Sequence, residues 1–166
     1  MNRVTTHSKI VAFHKEIAED HKGINDFYRF NVLELQGKLR AGIQTPVLML
    51  ESHSLGLRKS PNKVSTFADR NISFLLLDFA GKSDNYDKQE EVVDELENIA
   101  LDITAFLEKC RNDKNHWLYG MIDLETVRVE KVGPIMDNMY GWNVLYTLKS
   151  REPMCYDATK WEWPTP

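Results

Sequence analysis

Six apolar residues set the architecture of this chain. Val92, Leu96, Ile99, Ile103, Phe106 and Cys110 follow one another at steps of four, three, four, three and four. That is the period of a single helical face. Val93, Ala100 and Leu107 widen the stripe, while Glu91, Glu95, Glu97, Asp102 and Glu108 keep off it. Asp87 is expected to cap this helix, with Glu90 three positions on completing a capping box. A helix about 35 Å long with one apolar side gains most of its stability from what that side covers. The stripe therefore demands a broad apolar sheet beneath it.

The rest of the chain supplies candidates for that sheet. Val47-Leu48-Met49-Leu50 follows Thr45-Pro46 as a short continuous apolar run, the pattern of a buried strand. Ile72 to Phe79 is a second. Residues 121–132 form a third, with Val127, Val129 and Val132 along it, and residues 140–149 a fourth, where Trp142, Val144, Tyr146 and Leu148 alternate with Asn143, Leu145, Thr147 and Lys149. Between the last two, Gly133-Pro134 to Met139 carries loop chemistry. Before the strands, residues 6–21 place Ile10, Phe13 and Ile17 on one face with Gly23 as a stop, and residues 32–41 place Val32, Leu35 and Leu39 on another behind an Asn31 cap, with Gly42 as the stop. The expected fold is α+β: a mostly antiparallel four-stranded sheet packed by a long amphipathic helix, with two N-terminal helices. One domain covers residues 1–150, and residues 151–166 form a C-terminal arm.

Composition narrows the functional classes. Hydrophobic residues are 42% and charged residues 28% of 166, the balance of a folded globular chain. A net charge of −4 is the wrong sign for a surface that grips phosphates. No apolar run reaches 18 residues, so no membrane span is expected, and the N-terminus lacks the apolar core of a signal peptide. Two cysteines, Cys110 and Cys155, support neither a disulfide framework nor a zinc cluster, and the default setting is reducing and cytoplasmic. Cys110 lies on the apolar stripe, where a thiol is inert. Cys155 has no evident base beside it.

Catalytic patterns are sparse. His7, His14 and His21 are spaced by seven, about 10.5 Å of helical rise, whereas one metal ion takes helical ligands three or four residues apart. They are expected on a solvated face. Asp78, Asp84 and Asp87 cluster past a strand end, which could hold Mg²⁺ for phosphodiester hydrolysis, although a turn and a helix cap explain the last two. No phosphate-binding glycine loop is present. The expectation is a non-enzyme without cofactor, with a small metal-dependent nuclease or hydrolase as one alternative and a monomeric adaptor that binds a partner by sheet-edge addition as another.

Two segments are unexplained by folding. Residues 52–70 are far longer than a hairpin turn and carry Leu55, Leu57, Phe67 and the cations Arg58, Lys59, Lys63 and Arg70. The arm after Lys149 carries Met154, Tyr156, Trp161 and Trp163 among prolines. Trp, Tyr, Met and Arg are the side chains that anchor interfaces. Leu55, Leu57, Arg58, Lys59, Phe67, Met154, Tyr156, Trp161 and Trp163 are accordingly the expected interface residues.

The order of elements resembles the bacteriophage tail-terminator and head–tail connector (neck ring) family. The likeness runs from about Phe30 to Leu148: a helix leading into Pro46-Val47-Leu48-Met49-Leu50-Glu51, then Ser73-Phe74-Leu75-Leu76-Leu77 with an Asp-bearing turn and a long helix, then Asp137-Asn138-Met139-Tyr140-Gly141-Trp142 opening the last strand. The resemblance implies a virion protein made in the host cytoplasm. It implies a ring homo-oligomer, commonly of six copies, whose sheet faces and extended loops bind neighbouring subunits and other phage neck and tail proteins. DNA would pass through the middle without specific binding, and the family offers no catalytic residues to carry over. The Trp-rich arm departs from the family pattern.

Overall fold

The computed structural model describes residues 5–30, 42–135 and 138–162. Their order is α1 (His7–Asp20), β1 (Asp26–Phe30), β2 (Val47–Glu51), β3 (Ser54–Lys59), β4 (Thr66–Phe79), α2 (Tyr86–Asn112), β5 (Ile122–Ile135) and β6 (Met139–Glu152), followed by a 3₁₀ turn at Ala158–Lys160. The fold is α+β, with six strands instead of the four expected. The strand order is β1-β2-β4-β6-β5, and β3 pairs with β4. Each pair is antiparallel except β1 with β2. One of the two expected N-terminal helices is seen; the other, at residues 32–41, lies outside the described residues.

Helix α2 follows from its stripe. Val92, Val93, Leu96, Ile99, Ala100, Ile103, Leu107 and Cys110 are buried. All but Val93 join one cluster with Leu48 and Leu50 of β2, Ile72, Phe74 and Leu76 of β4, and Val144, Tyr146 and Leu148 of β6. Alternate residues of each strand supply this face, as the pleat requires. The Trp142 indole N–H donates to the Val93 carbonyl at 2.9 Å and ties helix to sheet. The cap is Asn85, not Asp87: the Asn85 side chain accepts from Lys88 N at 3.2 Å, and Asp87 falls in the first turn, where a carboxylate suits the helix dipole. Phe106 leaves the core and is exposed.

Helix α1 packs Ile10, Phe13, Ile17 and Ala18 into the same core. It ends at a His21 cap in extended conformation, so the expected Gly23 stop is not what closes it. Gly23 is needed for another reason, since a Cβ there would press on Ile99. The opposite face of the sheet holds a smaller cluster of Phe30, Val47, Met49 and Leu77. Beyond it this face turns polar. Ser73 donates to Asn143 at 2.9 Å, Thr147 donates to Asn71 at 3.1 Å, and Asn71 donates to Ser54 at 3.4 Å.

The long strands β4 and β6 pair over fourteen positions, from Thr66–Glu152 to Phe79–Met139. Gly141 makes this close pairing possible, because a Cβ there would run into the Leu76 carbonyl.

Candidate interaction surface

Residues 52–70 are not a loose arm. Within them β3 folds back on the first half of β4, from Ser54–Asn71 to Lys59–Thr66, and a turn at residues 60–65 closes the hairpin. Ser60 N donates to the Ser65 carbonyl at 2.8 Å, and Ser65 N donates to the Ser60 hydroxyl at 3.0 Å. The segment looked too long for a turn because it contains a strand as well. Every residue of β3 is exposed.

The pleat sorts the hairpin side chains. Leu55, Leu57 and Lys59 alternate on one face, opposite Arg70, Ala68 and Thr66 of β4. Leu55 is 54% and Leu57 52% exposed, and Val64 in the turn is 77% exposed. Arg58 lies on the other face opposite Phe67. Its guanidinium sits 4.9 Å from that ring and donates to Asp69 at 2.7 Å. Lys59 Nζ donates to the Thr66 hydroxyl at 2.7 Å.

The hairpin is rooted by a buried ion pair that the sequence did not reveal. Arg70, placed among the arm cations by sequence, is 5% exposed. Its Nη2 donates to Glu152 at 3.2 Å and to the Thr5 carbonyl at 3.2 Å, and its Nη1 donates to Ser150 at 2.8 Å. Glu152, at the end of β6, is likewise buried. Thus the sheet runs two residues past the expected boundary at 150. The charge on Arg70 gave the wrong cue; its even-numbered register with Ile72, Phe74 and Leu76 was the available signal.

After Glu152 the chain leaves the sheet. Met154, Tyr156 and Trp161 are exposed, and the Tyr156 and Trp161 rings stack at 6.1 Å. Trp163 lies outside the described residues. The structure therefore gathers Leu55, Leu57, Arg58, Lys59 and Phe67 on one hairpin, and Tyr156 with Trp161 in a second group.

The histidine row does not share one environment. His7 stacks on His53 at 5.2 Å, His21 sits 3.6 Å from Asp102, and His14 is fully buried. His14 is therefore not on the solvated face expected of it: Ile10, His14 and Ile17 are themselves spaced four and three, which puts the imidazole on the apolar side. Burial pushes its pKa down to about 4. Asp78 accepts from the Phe79 backbone, while Asp84 and Asp87 are exposed. Among the described residues, no three His, Cys, Asp or Glu side chains converge on a point that could hold a metal ion. Among them, too, no helix is long and apolar enough to cross a membrane.

These features define an α+β domain with a solvent-exposed β-hairpin anchored at its base and an aromatic C-terminal extension. No protein-family model matches the chain, and no curated protein matches it.

Proposed function

We propose that this chain is a structural subunit of a bacteriophage neck or tail ring, of the tail-terminator or head–tail connector class, and not an enzyme. The observation that carries this reading is the β3–β4 hairpin. It presents Leu55, Leu57 and Val64 to solvent from a backbone locked to the core by Arg70 and Glu152. A floppy loop would lose ordering entropy on docking; a braced hairpin has already lost it. The exposed Met154, Tyr156 and Trp161 supply a second set of anchors. Such distinct surfaces favour head-to-tail contacts, which close into rings when the rotation permits.

In this reading six copies surround DNA, and other neck and tail proteins bind the ring faces. Glu90, Glu97 and Glu108 of α2 are seven and eleven residues apart, which places them on one flank of the helix. Their charge repels phosphate, so DNA slides past without being held. The test is electron microscopy of the purified chain and of its native particle. Closed rings at the head–tail junction are expected. A protein found elsewhere in the particle, or monomeric even with its particle present, refutes the proposal.

One observation favours a second reading. β3 pairs only with β4 among the described residues, which leaves its outer edge available for an added strand. A chain that sediments as a monomer at every concentration, yet binds an extended peptide, would favour that adaptor role.

A further inference from the structure

A groove of about 240 Å³ runs between α1 and α2. Phe13, Ile17, Ile103 and Phe106 form its apolar floor, and Asp20 and Asp102 stand at its rim. Phe13 and Phe106 stack at 6.1 Å, and Phe106 is 41% exposed although it sits at a core-period position of its helix. Around the groove the charge is negative. Of the residues that line it, Glu16, Asp20 and Asp102 are acidic, His21 and His116 are imidazoles with His21 3.6 Å from Asp102, and none is Lys or Arg.

The hairpin has the opposite character. Residues 54–65 carry Arg58, Lys59 and Lys63 and no acid. On its one face, Leu55, Leu57 and Lys59 read as two apolar side chains followed by a cation. The groove reads as an apolar floor ending in carboxylates. Leu55 and Leu57 remain about half exposed, so they do not fill the groove of their own chain.

We infer that the α1–α2 groove of one copy receives the β3–β4 hairpin of the next, with Leu55 and Leu57 on the Phe13–Phe106 floor and Lys59 against Asp20 and Asp102. This rests on the ring reading and deepens it by naming both halves of the contact. Charge complementarity fixes the direction of docking, because hairpin against hairpin sets cation against cation and groove against groove sets acid against acid. The contact is therefore heterologous, and each copy offers one donor and one acceptor surface.

Two measurements on the full chain test it. In a Cys155→Ser background, Leu57→Cys combined with Phe106→Cys should give an intermolecular disulfide ladder on oxidation, and neither single variant should. Separately, Lys59→Glu and Asp102→Lys should each weaken self-association in sedimentation by roughly fivefold to tenfold, and the double variant should recover most of the loss. Both positions are exposed, so folding should be unaffected, and circular dichroism checks this. Rings that persist without crosslinking or charge sensitivity overturn the hairpin contact and leave the ring reading standing. If deleting residues 154–166 abolishes association while the hairpin variants do not, the C-terminal arm is the occupant and the inference is wrong. A chain that never self-associates, alone or in its particle, removes both.

Discussion

Acidification should destabilise this protein through His14, and the size of the effect follows from its surroundings. The imidazole is fully buried, with Nδ1 2.8 Å from the Ile10 carbonyl and Nε2 3.0 Å from the Tyr146 hydroxyl. A carbonyl only accepts, so Nδ1 carries the proton, and Nε2 accepts from Tyr146. The neutral ring is thus fully satisfied, while an imidazolium would be a desolvated charge with no counter-ion among Phe13, Phe74 and Tyr146. Burial lowers its pKa from 6.5 to about 4. The unfolded chain takes up the proton first, so the stability held by the neutral ring is fully present above pH 6.5. It is lost as pH falls from 6.5 toward 4. The whole effect is about 3 kcal/mol, of which about 2 kcal/mol is gone by pH 5. Urea unfolding followed by tryptophan fluorescence, at pH 7.5 and pH 5, measures it against His14→Gln. Other titrating groups act in both proteins, so the difference isolates this ring. Wild type should lose about 2 kcal/mol more than the variant. Equal losses, or an NMR titration of the His14 ring near pH 6.5, would refute the assignment.

Other substitutions probe the remaining supports of the fold. Arg70→Ala, by stripping Glu152 of its guanidinium, should cost on the order of 3–5 kcal/mol in denaturant unfolding, and Arg70→Met with Glu152→Leu should recover most of it. Gly141→Ala forces β4 and β6 apart at the Leu76 carbonyl and should cost about 3 kcal/mol or more, seen as a large drop in Tm or as insoluble protein. Trp142→Phe removes the bond to Val93 together with part of the indole's packing on the core, and about 1–3 kcal/mol should be lost in the same assay. Deleting residues 154–166 should leave the unfolding midpoint of the domain nearly unchanged while weakening assembly; an unchanged oligomer would show that the arm plays no part in it.

Periodicity alone carried the sequence to α1, α2, β2 and the cores of β4, β5 and β6, because each buries one face and its residue spacing records which. It missed β1, where Asp26 and Arg29 interrupt the apolar residues and only Phe30 is buried, and β3, whose Leu55 and Leu57 alternate but bury nothing, so that two apolar residues beside Gly56 and three polar neighbours did not read as a strand. The interface candidates Leu55 and Leu57 were legible as apolar residues with no place in the core, and the structure leaves them exposed. Their common face, and the alignment of Lys59 with them, came from the register of the hairpin.

Charge was the least reliable guide to position. Arg70 and His14 read as solvent-facing by residue type, yet both are buried, because their partners lie 82 and 132 residues away in sequence. Local spacing determines which face of a helix or strand is apolar, since neighbours along the chain share one backbone geometry. Whether a polar group on that face can be satisfied depends on what the sheet brings opposite it, and only the tertiary structure decided that.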